Sequence, residues 1–322
     1  MRIGVNPEKK KLNKLHYKKH RVIIPVYISE GGEIYFSNLF KVFKASINSL
    51  LQTISEDYTA ITIINNACKS EVTDYLDNLL AEKKIDKHVK LVSNYGKVYT
   101  IISEARASYE DFITIADADV FYFNNWEKEV FKIFSAFDKV GVVSPVPGPH
   151  GALYNNVSLF GSLFCKPKKG NVVDPKSFTL FEKGTNNPKI FQDRKHKWKE
   201  KQYYIDNNKV KACVGCGHFV ATYKNVFNKI PLLKPEFVFK SGDEDEFLDM
   251  QFDKLGYFRV STIIAYGYHL GTTVPSWVTE YEFNLNNQAY INQIELKKIK
   301  KSKVNYIIKR LIFKILKKYK LI

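Results

Sequence analysis

The chain has 322 residues, 45% of them hydrophobic and 26% charged, which is the composition of an ordinary globular protein with one large α/β domain or two small ones. The net charge of +17 lies at the ends: residues 1–21 hold eight basic residues and one acidic residue, and residues 293–322 hold eleven and one. The remaining residues, 22–292, hold 31 of each sign. This pattern argues against a nucleic-acid enzyme with a basic channel and favours basic ends that contact an anionic surface.

The sequence shows neither a targeting signal nor the cysteine pattern of a zinc site. The first 22 residues are polar and basic, and no apolar run is long enough to span a bilayer. The four cysteines are scattered, and although Cys213 and Cys216 have metal-ligand spacing near His218, the second pair that a zinc site needs is missing. We therefore expect a cytoplasmic protein without a disulfide framework.

Strand-like and helix-like segments alternate in the first part of the chain. In chain order they are strand 21–27, helix 39–54, strand 60–64, helix 71–83, strand 89–92, helix 98–107 and strand 112–116. This β-α-β-α-β-α-β order predicts a mostly parallel sheet with helices on both faces. Ligands bind such sheets at the carboxyl ends of the strands, where Pro25, Asn65 and Asp117 lie.

The second half is less regular. The patterns predict helix 126–137 and strand 140–143, then a basic loop or insertion at 166–211 within a domain of residues 22–275. A short helix near 225–230, an acidic helix start at 243–246 and a strand at 257–265 follow. Residues 1–21 would form a basic N-terminal segment and residues 276–322 a C-terminal extension.

Two carboxylates close the apolar run Phe112–Ala116. Asp117 and Asp119 point to the same side of an extended chain, with only Ala118 between them. Such a pair suits a hard divalent cation that keeps positions open for phosphate oxygens. The alternative is that the two residues simply begin a solvated turn.

The C-terminal extension contains a basic amphipathic pattern. Apolar residues recur at helical spacing at Val304, Ile307, Ile308, Leu311, Ile312, Ile315, Leu316 and Tyr319. Seven basic residues occupy much of the remainder, so the pattern predicts a helix at about 303–320 that lies on an anionic membrane surface. The alternative is a helix docked on the domain or on a second subunit.

Several short motifs follow one another in a recognisable order. They are Ile23-Ile24-Pro25-Val26-Tyr27, Asn65-Asn66, Asn94-Tyr95-Gly96, Asp117-Ala118-Asp119, Gly215-Cys216-Gly217-His218-Phe219, Glu244-Asp245 ahead of Gly256-Tyr257, and His269. In this order they resemble the nucleotide-sugar glycosyltransferases of the Rossmann-like GT-A fold, most closely the large inverting family 2. The resemblance covers roughly residues 21–275.

The resemblance implies a donor site and a metal, Mn²⁺ or Mg²⁺. Asp119 would bind the ion directly, Asp117 would hold the ribose or the metal shell, and His269 would complete the metal or diphosphate site. The remaining donor-site residues would be Pro25, Tyr27, Asn65, Asn94, Gly96, Gly217 and His218. Asn65 stands where the family commonly has an Asp that contacts the base, which leaves the donor base open, although a UDP-sugar is favoured.

The resemblance also implies an acceptor site. Asp245 would be the general base that deprotonates the acceptor hydroxyl, although Asp243 or Glu244 could take this role and a retaining reaction stays open. The implied enzyme transfers a hexosyl or N-acetylhexosaminyl group to a glycan or lipid-linked acceptor in bacterial surface polysaccharide synthesis. It would be peripheral on the inner face of the cell membrane, held there through residues 293–322, with no specific nucleic-acid partner.

Two other functions remain open at this stage. A nucleotidyltransferase would share the nucleotide-binding sheet and the paired Asp, but Gly31-Gly32 lacks the nearby basic residue of a phosphate loop. A catalytically inactive GT-A-like module that binds a membrane or nucleic acid would account for the basic ends. The neutral charge of residues 22–292 argues against it.

Overall fold

The computed structural model describes residues 4, 17–30, 36, 38–163, 165–193, 195–232, 234–240, 242–284 and 305–322. Three parts of the chain that the sequence analysis discussed lie outside the described residues: most of the basic segment 1–21, the Gly31-Gly32 pair, and residues 285–304 of the C-terminal extension. Everything below concerns the described part of the chain.

Ten strands form the central sheet. The twelve strands of the described chain are β1 His20–Val26, β2 Thr59–Asn66, β3 Lys87–Leu91, β4 Phe112–Ala116, β5 Val120–Tyr122, β6 Val140–Ser144, β7 Lys168–Gly170, β8 Gln202–Asp206, β9 Lys211–Val214, β10 Val220–Lys224, β11 Phe258–Ser261 and β12 Gly267–His269. The order across the large sheet is β3-β2-β1-β4-β10-β6-β11-β9-β8-β7, and β5 and β12 form a separate pair.

The first four strands confirm the predicted parallel arrangement. β3, β2, β1 and β4 are parallel neighbours, and β6 pairs in parallel with β11. β10 is inserted antiparallel between β4 and β6, and β9 and β7 also run against the majority. Seven of these ten strands therefore share one direction, and the fold is a mixed α/β fold with a mostly parallel sheet.

Helices cover both faces of the sheet. The described α-helices are Leu39–Leu51, Ser70–Ala81, Lys97–Ala107, Trp126–Ala136, Val157–Phe160, Pro175–Gly184, Met250–Lys254, Trp277–Glu280 and Tyr306–Lys318. In β1, Val22 and Ile24 belong to one apolar cluster, together with residues of the helices Leu39–Leu51 and Trp126–Ala136. The side chain between them, Ile23, belongs to a second apolar cluster with residues of the helix Lys97–Ala107. This alternation shows that both faces of β1 are buried, as its apolar sequence requires.

The basic segment 166–211 contains more regular structure than the loop that the sequence predicts. It holds strands β7 and β8 and the helix Pro175–Gly184. Phe178, Phe181, Phe191 and Trp198 bury their rings in the main core. Because thirteen basic residues are interspersed with these aromatic residues, the apolar periodicity is weak in the sequence although the segment packs on the domain.

A helix does form near the C-terminus, at Tyr306–Lys318. It packs on the short helix Val157–Phe160, where Gly161 allows a close approach: a Cβ at that position would lie 2.7 Å from Lys309. None of the helices in the described ranges combines the length and the apolar composition needed to cross a bilayer.

Candidate functional site

The Asp117 and Asp119 pair lies at the carboxyl end of β4, in the centre of the sheet. The Asp117 backbone N–H donates to the carbonyl oxygen of Phe219 at 2.8 Å, which ties the end of β4 to the start of β10. Asp119 immediately precedes β5. The pair therefore occupies the ligand edge predicted for it, and each carboxylate is about a quarter exposed.

His269 reaches this pair through the small second sheet. β12 runs antiparallel to β5, with His269 opposite Val120, and the Leu270 N–H donates to the Asp119 carbonyl at 2.8 Å. The His269 Nε2 atom lies 3.3 Å from Asp119 Oδ2, and its Nδ1 atom lies 3.0 Å from the carbonyl oxygen of Gly184. Because that carbonyl can only accept, Nδ1 carries a proton, and Nε2 is the ring nitrogen that faces Asp119.

The donor atoms fit a divalent cation. One ligand atom each from Asp117, Asp119 and His269 lies within 4.8 Å of the others. Asp119 Oδ1 is buried and has no hydrogen-bond partner. Burial raises the pKa of Asp119 to about 6, the Asp117 charge adds to this and the His269 charge opposes it. An unpartnered carboxylate oxygen beside an imidazole lone pair is an arrangement that a shared cation would stabilise, and carboxylates with imidazole suit Mn²⁺.

Lys97 joins this cluster to the acidic segment that the sequence singled out. Its ammonium forms an ion pair with Asp117 and lies 2.7 Å from Glu244 Oε1. Although burial lowers it, the charges of Asp117 and Glu244 raise the pKa of Lys97 above its usual value, so the side chain stays charged. Glu244 is therefore held by Lys97, which leaves the neighbouring Asp245 as the less constrained carboxylate.

Asp245 belongs to a second cluster, with His218 and Asp249. It begins a π-helical turn, Asp245–Asp249, that continues into Met250–Lys254. His218 lies between the two acids of this turn, with Nδ1 3.1 Å from Asp249 Oδ2 and Nε2 3.7 Å from Asp245 Oδ1. Asn155 donates to the same Asp245 oxygen at 3.3 Å. Asp245 is 42% exposed and can meet a substrate, whereas Asp249 is buried.

A buried ion pair fixes this second cluster. Asp249 pairs with Arg259 of β11, and both side chains are almost inaccessible to water. Burial would raise the pKa of Asp249, but the charge of Arg259 and the hydrogen bond from His218 lower it below its usual value. The hydrogen bond to Asp249 in turn raises the pKa of His218. Asp249 thus stays ionised and holds His218 against Asp245.

The predicted Asn94 and Gly96 turn shapes the wall beside Lys97. The Asn94 side-chain oxygen accepts from the Gly96 N–H at 2.9 Å and from the Asn66 amide at 2.7 Å. Gly96 has φ +80°, and a Cβ there would lie 2.5 Å from the Val238 carbonyl oxygen. Only glycine accommodates both this backbone conformation and the close approach, so Lys97 starts its helix in a defined position.

Three predicted donor-site residues, Pro25, Tyr27 and Asn65, lie at the ends of β1 and β2. Pro25 is paired within the sheet opposite Ile64, and Tyr27 is partly exposed just beyond β1. Asn65 is buried, its amide donates to a threonine hydroxyl at 2.8 Å, and its oxygen accepts from the Cys68 N–H at 2.8 Å. One lone pair of that oxygen remains for a ligand, so contact with a base stays a prediction.

Sequence reasoning missed four residues of the site: Lys97, Asn155, Asp249 and Arg259. Asp249 follows Asp245 by four residues, a spacing that brings both to one side of a helix and that the sequence contains openly. The other three had no comparable signal. Lys97 and Asn155 meet their partners Glu244 and Asp245 across long stretches of chain, and Arg259 meets Asp249 only when the helical segment folds against β11. The predicted Gly217 lies in the β9–β10 connection beside His218, as the motif order implied.

Comparisons with known proteins return glycosyltransferases among solved structures. Neither a protein-family model nor a curated protein sequence matches the chain. The chain is similar to the mannosyltransferase PcManGT of Pyrobaculum calidifontis in complex with GDP-Man and Mn²⁺, at 12% identity and a TM-score of 0.45, covering 77% of this chain and 56% of that one.

Two further solved structures are similar at the same level. Residues 1–349 of TarS from S. aureus with UDP-GlcNAc give 12% identity, a TM-score of 0.45 and coverage of 82% and 61%. GalNAc-T7 with UDP, GalNAc and Mn²⁺ gives 12% identity, a TM-score of 0.47 and coverage of 76% of this chain and 42% of that one. The chain thus spans less than two thirds of each of these three proteins, and similarity this distant does not establish a family or an activity.

Proposed function

We propose that the protein is a metal-dependent glycosyltransferase that uses a nucleotide-sugar donor. The observation that carries the proposal is the arrangement of two groups of side chains. Asp117, Asp119 and His269 form the first, and the partly exposed Asp245 belongs to the second. Lys97 pairs with Asp117 of the first group and with Glu244, the residue before Asp245. A cation-binding group beside an accessible carboxylate is what transfer from a nucleoside diphosphate requires.

The residues divide the work as follows. Asp117, Asp119 and His269 would hold Mn²⁺ or Mg²⁺, which when bound neutralises charge on the diphosphate leaving group. Lys97 adds a fixed positive charge beside Asp117. Asp245 would accept the proton of the acceptor hydroxyl, with His218 and Asn155 holding its carboxylate. General-base catalysis of this kind contributes roughly 10²–10⁴-fold.

The finer assignments are part of the same proposal. An acceptor oxygen that Asp245 deprotonates, and that attacks the anomeric carbon from the side opposite the leaving diphosphate, would give inversion of configuration. Tyr27, Asn65 and Asn94 would line the base and ribose side of a UDP-sugar, and Gly217 the sugar side. The acceptor would be a glycan or a lipid-linked glycan of a bacterial surface polysaccharide, met at an anionic membrane surface through the basic residues 293–322.

A donor screen tests this proposal. UDP-, GDP- and dTDP-hexoses and N-acetylhexosamines are incubated with the full chain and Mn²⁺ or Mg²⁺, and the released nucleotide is identified. Glycosyl transfer or donor hydrolysis releases a nucleoside diphosphate, whereas a nucleotidyltransferase would act on the same donors only with added pyrophosphate and would then release a nucleoside triphosphate. Asp119→Ala is expected to abolish nucleotide release, and an Asp119→Ala chain as active as the native one would refute the proposal.

The base assignment has its own control. Asp245→Asn keeps the hydrogen bond geometry around His218 but removes the proton acceptor, so transfer should fall by about 10²-fold or more while donor affinity is retained. Glu244→Gln serves as the matched variant, because Glu244 is engaged by Lys97. Asp245 would be removed from this role if Asp245→Asn lost donor binding. It would also be removed if Glu244→Gln lost transfer by about 10²-fold while Asp245→Asn stayed active.

A further inference from the structure

An exposed apolar loop lies beside the candidate active site. Phe237, Val238 and Phe239, here called the apolar loop, follow one another, and the two phenylalanines are 60% and 76% exposed. The loop packs through the Val238 backbone on Gly96 and leads within a few residues to Asp245. Three consecutive exposed apolar residues are unusual on a globular domain and mark an interaction site.

The C-terminal helix, Tyr306–Lys318, leaves its own apolar stripe uncovered. It docks on the domain through other residues: the Tyr306 hydroxyl donates to Asp253 Oδ2 at 3.1 Å, and the Phe313 ring packs against Phe160. Four apolar residues of the stripe predicted from the sequence stay more than half exposed, namely Ile307 (65%), Ile308 (51%), Leu311 (55%) and Ile315 (54%). The helix is therefore attached by one face and presents a second apolar face to the surroundings.

The charges of the C-terminal helix have one sign. The helix contains no acidic residue, and Arg310, Lys314, Lys317 and Lys318 are exposed on it. The apolar loop has a mixed charge surround: Lys234, Glu236 and Lys240 flank it, and the acidic run at 243–246 follows, in which Asp243 is buried and Glu244 pairs with Lys97. The apolar stripe of the helix, bordered by lysine and arginine, matches the interface of a bilayer that contains anionic lipids, and the apolar loop adds apolar contact area.

Both surfaces are attached to the same helical segment. The apolar loop precedes its first residue, Asp245, and the C-terminal helix is bonded to Asp253 near its other end. Eight residues of helix separate these points, about 12 Å at 1.5 Å per residue. One membrane surface is large enough to contact both elements while the helical segment that bears Asp245 lies between them.

We propose that the apolar loop and the C-terminal helix together dock the protein on an anionic membrane, with the acceptor side of the active site at the lipid interface. The inference rests on the proposed function only for the presence of an acceptor there. The docking itself requires no donor, metal or turnover, so it stands or falls separately from the glycosyltransferase assignment.

Vesicle sedimentation tests the proposal. The full chain is mixed with phosphatidylcholine vesicles with or without phosphatidylserine, and the bound fraction is measured. We expect binding only with phosphatidylserine, and at least about tenfold weaker partitioning for Phe237→Ser/Phe239→Ser and for Ile308→Ser/Ile315→Ser, because each pair removes two apolar side chains. Leu80→Ser, which changes an exposed leucine on the helix Ser70–Ala81, is the matched control and should bind like the native chain.

A gain of signal guards against misfolded variants. Phe237→Trp keeps the apolar character of the loop, and its added fluorescence should be quenched by brominated lipids in phosphatidylserine vesicles. The proposal would be overturned by any of three results: no binding of the native chain to phosphatidylserine vesicles, native-like binding by Phe237→Ser/Phe239→Ser, or no quenching of the Phe237→Trp chain. So would sedimentation equilibrium showing a dimer that both double variants dissociate, because a second copy would then cover these faces.

Discussion

The buried pair of Asp249 and Arg259 leads to the sharpest prediction for stability and for the site together. Arg259→Met keeps much of the side-chain volume but removes the guanidinium that neutralises Asp249. Both residues are 1% exposed, so water cannot replace the lost partner. The carboxylate would retain His218, whose Nδ1 lies 3.1 Å away, and the Tyr223 hydroxyl, which donates at 3.4 Å.

The size of the effect follows from this burial. Removing one partner of a buried ion pair costs about 3–5 kcal/mol, because the other charge is left uncompensated. Since His218 remains, we expect the lower end, about 3 kcal/mol. With a urea m-value of about 3 kcal/mol per M for a chain of this size, the unfolding midpoint should fall by about 1 M.

The assay is urea unfolding of the native chain, Arg259→Met, Asp249→Asn and the double variant. The double variant should recover much of the loss, because no charge is then left unpaired in the interior. Without Arg259, burial raises the folded-state pKa of Asp249 above its unfolded value. The penalty is therefore present above that raised pKa and is relieved as the pH falls through it.

Two results would refute this reasoning. The first is a loss of less than about 1 kcal/mol in Arg259→Met near neutral pH, which would place the pair in an effectively aqueous environment. The second is a double variant as unstable as the single one, which would show that the arginine acts through packing and not through charge. In either case Asp249 would not be the residue that fixes His218.

Three further predictions follow from single contacts. Lys97→Met should raise the KM for the donor, because Asp117 loses its neutralising partner beside the proposed diphosphate site. Steady-state kinetics at saturating Mn²⁺ measure this effect, and an unchanged KM would contradict the prediction. The hydrogen bond with Asp249 raises the pKa of His218 in the folded chain. The stabilisation that His218 contributes is therefore present below its unfolded pKa of about 6.5 and is lost as the pH rises through the folded pKa. His218→Gln should remove part of the difference between the urea midpoints measured at about pH 6 and about pH 8. Gly141→Ala places a methyl carbon 2.5 Å from a tyrosine ring and should destabilise the fold by about 1–3 kcal/mol, seen as a lower Tm.

The parallel half of the fold was predictable because its signals are local. β1, β2 and β4 are short, mostly apolar runs, and each intervening helix has apolar residues at helical spacing. The edge strand β3 has the weaker pattern Lys-His-Val-Lys-Leu. The position of Asp117 at the ligand edge follows from this alternation alone. The same local reasoning predicted a loop for residues 166–211, because lysines between the buried aromatic residues obscured their pattern.

The sequence by itself thus indicated the alternation of strands and helices in the parallel half and the carboxylate pair at its edge. The tertiary structure decided which distant residues meet there. Pairing of β12 with β5 brings His269 to Asp119, across 150 residues of chain. The ion pairs of Lys97 and of Arg259 likewise join separate elements. Periodicity reports only which residues share a face of one element. The contacts of His269 and of Lys97 with Glu244 depend on long-range folding, and the Arg259 pair depends on how a helical segment packs on β11 and buries both charges.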